Sequence, residues 1–114
     1  MELAVRHIKG KGRGVVALRD FGLGELVEVC PIIAFFRPRN LPKELESFPY
    51  GWEGGWLAIP GGHGCLYNHS YHPNTEIEND HEQRTVVFTA TKPIKRGDEV
   101  TFNYNVPLDF EVVE

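Results

Sequence analysis

One twelve-residue run, His63 to Asn74, reads HGCLYNHSYHPN and concentrates three histidines, one cysteine and two asparagines. Imidazole and thiolate groups bind zinc, and His63, Cys65, His69 and His72 would supply the four ligands of a tetrahedral structural site. Spacing opposes that use. Zinc sites usually join two ligand pairs set about a dozen residues apart, whereas all four donors here lie within one short loop that also contains Pro73. No metal is therefore expected. The histidines read instead as exposed or hydrogen-bonded groups, and the asparagines as amides suited to holding a polar ligand or a turn.

Two other stretches carry chemistry-bearing residues. KGKGRGV places Gly10, Gly12 and Gly14 at alternate positions, where the backbone can take positive φ and approach a ligand closely. Its spacing is neither that of a P-loop nor that of a dinucleotide fingerprint, so taken alone it reads equally well as a hairpin turn. RGDEVTFNYN runs from a turn into a strand that ends on Tyr104, flanked by Asn103 and Asn105. A tyrosine at such a place is commonly a packed ring with its hydroxyl tied to backbone.

The elements that must position these residues are short. With 12 glycines and 8 prolines in 114 residues, the chain predicts a mainly β, loop-rich single domain over residues 1–114. LAVRHI, VVAL, ELVEVCPIIAFF, TVVFTA and EVTFNY read as strands, with VCPIIAFF a buried one; NDHEQ and KRGD read as turns. LPKELESF predicts one or two helical turns ended by Pro49. The net charge of −4 disfavours direct nucleic-acid binding and suits a Lys/Arg-rich partner. The start lacks a signal-peptide core, no run is long enough to span a bilayer, and two cysteines make no disulfide framework. A reducing, cytosol-like compartment is expected, rather than a secreted protein.

Taken together and in this order, KGRGV, NHS followed by PN, and GDEVTFNY resemble the SET-domain protein lysine methyltransferases, in which segments of the form RFxNHSCxPN and GEELTFDY recur. The likeness runs from Lys11 to Tyr104 and leaves about residues 36–61 without counterpart. Cys65 stands where the family usually has Arg, Tyr71 where it has Cys, and Asn103 where it has Asp; no Cys-rich segment follows Tyr104. In length the chain is similar to the minimal stand-alone viral and bacterial members, which implies a homodimer.

The resemblance implies a fold of small curved β-sheets around a threaded pseudoknot, with little helix. It also implies transfer of methyl from S-adenosyl-L-methionine to the ε-amine of lysine in a basic protein, such as a histone tail or a ribosomal protein. The alternative is an inactive domain that only binds peptide or S-adenosylmethionine. Tyr104 is expected as the catalytic side chain, and Tyr67 and Phe102 as walls of the substrate channel. For the cofactor it implies the backbone of Lys11, Gly12, Arg13 and Gly14, the polar groups of Asn68 and His69, Tyr50 in a YxG element, and Phe110 covering the adenine. His63, Cys65 and His72 look incidental. Elemental analysis of the purified protein is expected to find no stoichiometric zinc.

Overall fold

Apolar–polar alternation in LAVRHI and GRGVVA builds the first hairpin. In a computed structural model that describes residues 2–36, 42–45, 48–105, 112 and 114, β1 (Leu3–Ile8) pairs antiparallel with β2 (Gly12–Ala17), from Leu3 opposite Ala17 to Ile8 opposite Gly12. The turn between them uses positive φ at Gly10 and Gly12, which glycine alone adopts without penalty. Val15 and Ala17 point inward and are fully buried.

The other side of β2 pairs antiparallel with β9 (Glu99–Phe102), and β9 pairs in parallel with the two-residue β6 (Asn68–His69), giving a sheet ordered β1-β2-β9-β6. A parallel neighbour cannot be reached by a tight turn. Here the connection is a second hairpin, β7 (Thr75–Asp80) and β8 (Thr85–Ala90), joined by a turn at residues 81–84 in which Arg84 takes φ 56°.

That hairpin belongs to a second sheet ordered β4-β5-β3-β8-β7, completed by β3 (Leu26–Phe36), β4 (Tyr50–Gly51) and β5 (Trp56–Pro60). β3 is shared lengthwise. Its first part, to Pro31, pairs with β8, and Ile32 to Phe36 pair with β5. Pro31, which has no N–H to give, stands at the changeover. A bulge between Leu26 and Glu28 shifts the register, so that Val27 is buried and Glu28 also turns inward, opposite the fully buried Phe88.

The core lies between the two sheets: Val15, Ala17, Cys30, Tyr67, Val86, Phe88, Val100 and Phe102 belong to one contiguous cluster. Phe88 is its centre, with Tyr67 at 4.4 Å and Phe102 at 5.4 Å between ring centroids.

Two expectations change. VCPIIAFF is a strand but not a buried one: Cys30 is fully covered, while Val29, Ile33 and Phe36 are exposed, Ile33 by 72%. The sheet has only one covered face, and strand alternation sends every second residue to the open side. Among its described residues LPKELESF forms a 3₁₀ turn at Lys43–Leu45 rather than an α-helical one; residues 41, 46 and 47 lie outside the described residues. Phe88→Ala is expected to cost about 3–5 kcal/mol in denaturant unfolding, and Ile33→Ser at the open face no more than about 0.5 kcal/mol.

Candidate active site

β6 lies between an aromatic cavity and the β1–β2 turn. Successive side chains of an extended segment point to opposite faces, so Tyr67 is buried toward a cavity, Asn68 faces the β1–β2 turn, and His69 turns back inward. Asn68 Nδ2 donates to Arg13 O at 2.9 Å and to Glu99 Oε2 at 2.7 Å. His69 Nδ1 accepts the backbone N–H of Tyr104 at 3.0 Å. Burial holds the His69 imidazole below its ordinary pKa, so the ring is neutral and its proton sits on Nε2. That Nε2 is buried without a partner among the described residues.

The cavity, about 180 Å³, is lined by Tyr50, Cys65, Tyr67, Ile77, Phe102 and Tyr104 among others. The Tyr104 hydroxyl donates to Tyr67 O at 2.6 Å, and the Tyr50 hydroxyl donates to Gly64 O. Both phenols are pushed up in pKa, mainly by burial, and stay protonated. With each proton committed to a backbone carbonyl, the hydroxyl lone pairs remain to accept from an N–H donor. The space suits a slender aliphatic amine between aromatic walls, not a nucleotide.

Across β6, the turn that carries Gly12 differs from glycine to glycine. At Gly12, with φ +84°, a side chain would meet no atom within 4 Å, so bare backbone faces open space. At Gly14 a Cβ would come within 2.7 Å of both Asn68 Nδ2 and Glu99 Oε2 and within 2.6 Å of Ile8 Cγ1. Gly14 is therefore required by the protein's own side chains. Open backbone at Gly12, an Asn68 carbonyl that accepts nothing from the described residues, and the orphaned His69 Nε2–H are donors and an acceptor that fit the polar amino-acid and adenine groups of S-adenosylmethionine.

The structure thus brings Lys11, Gly12, Arg13, Gly14 and Asn68 together on one side of β6, and Tyr50, Tyr67, Phe102 and Tyr104 on the other, where His69 also turns, against the Tyr104 backbone. Tyr50 lines the cavity. The segment without family counterpart supplies it, along with Phe48 and Pro49. Phe110 lies outside the described residues.

Sequence reading missed several residues. Glu28 accepts from the Tyr67 hydroxyl at 2.5 Å and from His63 N at 3.1 Å, with His63 Nδ1 also at 3.1 Å. His63 is thus the tether of the loop, and Cys65 a wall of the cavity, rather than incidental. Burial beside Glu28 pushes the Cys30 thiol up to about 12. Asn74 Nδ2 donates to Glu99 O at 2.8 Å and its Oδ1 accepts Thr101 N–H at 2.9 Å, clamping β9. Of these, only Asn74 carried a signal, as the last residue of the PN pair. Among the described residues, no three His, Cys, Asp or Glu side chains converge in metal-binding geometry.

Residues 12–105 match the family described as the SET domain. The chain belongs to the SET-domain family. This SET chain is 27% identical, over 96% of its length and 77% of the relative's, to a Schizosaccharomyces pombe histone-lysine N-methyltransferase specific for H3 lysine 37. An Eremothecium gossypii histone-lysine N-methyltransferase specific for H3 lysine 36 is 29% identical over 92% of this chain but only 17% of its own. Among solved structures, a Plasmodium falciparum protein described as a candidate histone methyltransferase superposes with TM-score 0.76 at 28% identity, covering 91% of this chain and 93% of that one. KRYPTONITE, solved with methylated DNA, an H3(1–15) peptide and S-adenosylhomocysteine, gives TM-score 0.73 over 94% of this chain and 24% of its own; at 20% identity that likeness is one of fold.

Gly14→Ala is expected to destabilise the domain by about 1–3 kcal/mol through overpacking, against roughly 1 kcal/mol of backbone strain for Gly12→Ala, both read by denaturant unfolding. The His69 pKa lies below its unfolded value, so the unfolded chain binds the extra proton. Stability is therefore full above about pH 6.5 and falls as pH drops below it, and thermal melts from pH 8 to 5 check this.

Proposed function

We propose that the protein methylates lysine in a basic, chromatin-type protein, with Tyr104 where the aromatic cavity meets the strand that bears Asn68. The reaction class is S-adenosylmethionine-dependent lysine methylation, as its family and its histone-lysine methyltransferase relatives support. The observation that carries the residue assignment is the Tyr104 hydroxyl, fixed by Tyr67 O at the junction of the aromatic cavity and the strand that bears Asn68.

When bound, S-adenosylmethionine supplies a methyl group on a cationic sulfonium, open to in-line attack. The chain's task is to deliver the amine. Free lysine has a pKa of about 10.4, and its ammonium has no lone pair. The described residues lining the cavity include no His, Asp or Glu. Burial between aromatic walls disfavours the charged amine and lowers its pKa without a dedicated base. The lone pairs of Tyr104 and Tyr50 accept the remaining amine hydrogens, so the nitrogen lone pair is aimed along the tunnel. Tyr67 O, tied to Tyr104, keeps that hydroxyl from rotating. Phe102 lies 4.8 Å from the Tyr104 ring and 5.7 Å from Tyr50, filling the wall between them.

On the cofactor side, the open backbone at Gly12, between Lys11 and Arg13, faces the methionine portion and ribose, and Asn68 holds the amino group. His69 serves chiefly by holding the Tyr104 backbone. Tyr50 is reassigned from the cofactor to the channel. The acidic surface favours a Lys/Arg-rich substrate such as a histone tail over nucleic acid. A chromatin location and a homodimer complete this reading. Sedimentation at micromolar concentration tests the dimer.

Incubation with labelled S-adenosylmethionine and mixed basic proteins, followed by mass spectrometry, should place the label on lysine of a histone. Tyr104→Phe is expected to lower kcat by about 10²-fold or more while leaving the dissociation constant for S-adenosylmethionine unchanged. Full activity in that variant removes Tyr104 from the chemistry, and label on no lysine at all refutes the function.

A further inference from the structure

Lys11, Glu99 and Asn68 form a short chain of polar contacts between elements far apart in sequence. Lys11 Nζ meets Glu99 Oε1 at 2.8 Å, with the two side chains only 12% and 16% exposed. The other carboxylate oxygen, Oε2, accepts from Asn68 Nδ2 at 2.7 Å, and the same nitrogen donates to Arg13 O at 2.9 Å.

A primary amide has two N–H donors and one carbonyl acceptor. Both donors of Asn68 are committed to groups that can only accept, so the amide has a single orientation. Its Oδ1 is turned away from both, and no described residue donates to it. Gly14 makes the arrangement possible, since a Cβ there would lie 2.7 Å from Asn68 Nδ2 and from Glu99 Oε2. Lys11 has a separate role. It neutralises Glu99, so the nearby charge is balanced, and it occupies Oε1 so that Oε2 is left for the amide.

We propose that Glu99, held by Lys11, is a positioning residue that fixes Asn68 with its carbonyl outward, as the acceptor for the cationic amino group of the cofactor's amino-acid portion. The proposal rests on S-adenosylmethionine being the cofactor. A hydrogen bond from Asn68 to a carboxylate also polarises the amide and strengthens its carbonyl as an acceptor. An amide free to rotate would offer its NH₂ to the ammonium half of the time, and that contact is repulsive.

Glu99→Gln tests it. The Gln carbonyl must face the Lys11 ammonium, which sets the Gln NH₂ against the Asn68 NH₂; Asn68 is then pulled between keeping its bond to Arg13 O and turning its carbonyl to the new donor, and its carbonyl is no longer held toward the ligand. By titration calorimetry, affinity for S-adenosylhomocysteine, which keeps the amino group, should fall about tenfold or more. Affinity for 5′-methylthioadenosine, which lacks the amino-acid portion, should not change. Adding Lys11→Met frees the Gln carbonyl to turn back to Asn68 and should restore most of the lost affinity. Unchanged S-adenosylhomocysteine binding in Glu99→Gln overturns the proposal. So does equal loss of both ligands, or failure of Lys11→Met to rescue, because either marks a general packing effect. If the unaltered protein binds neither ligand, the cofactor assignment itself falls, an outcome distinct from the others.

Discussion

Everything functional here depends on two residues of parallel pairing. β6 is only Asn68 and His69, laid against Thr101 and Phe102 of β9, and so short a strand has little pairing energy of its own. Side chains hold it in place. His69 takes the Tyr104 N–H just beyond β9, Ser70 N donates to Phe102 O, and Asn74 supplies both a donor and an acceptor to the β9 backbone. Through this seam a loop residue, Tyr67, and a strand-end residue, Tyr104, share a hydrogen bond across 37 positions of chain.

Two carboxylates brace the seam from either side. Glu28 lies under the cavity, where it orders Tyr67 and the His63 end of the loop. Glu99 lies on the β1–β2 turn side, where it orders Asn68. Both are largely covered, and a buried carboxylate is tolerated only when its oxygens are satisfied by donors or a cation. Glu99 is balanced by Lys11, whereas Glu28 is satisfied by a phenol, a backbone N–H and an imidazole. Removing any of these donors therefore disturbs the geometry at Tyr104 from a distance.

Much of this was legible along the chain. The hairpins, the Gly-bearing turns and the strand into Tyr104 follow local periodicity and turn chemistry, and the resemblance placed Asn68, His69 and Tyr104 in one site. Glu28 was not legible as a brace: alternation puts it on the covered face with Cys30, and the partners that satisfy it, His63 and Tyr67, lie 35 and 39 positions away. The open face of β3 was hidden for a related reason: an apolar run states that a strand is half or fully covered, not which sheet faces it.

The sequence by itself determined the longer strands, though not β4, β5 or β6, along with which turns need glycine and which residues could do chemistry. Tertiary structure alone decided their roles. It set Gly14 against Asn68 and Glu99, placed Tyr50 on the wall of the aromatic cavity, and joined Lys11 to Glu99 across 88 positions. The reason is physical: backbone preference acts over a few neighbouring residues, while the orientation of an amide or a carboxylate is set by partners that chain order does not specify.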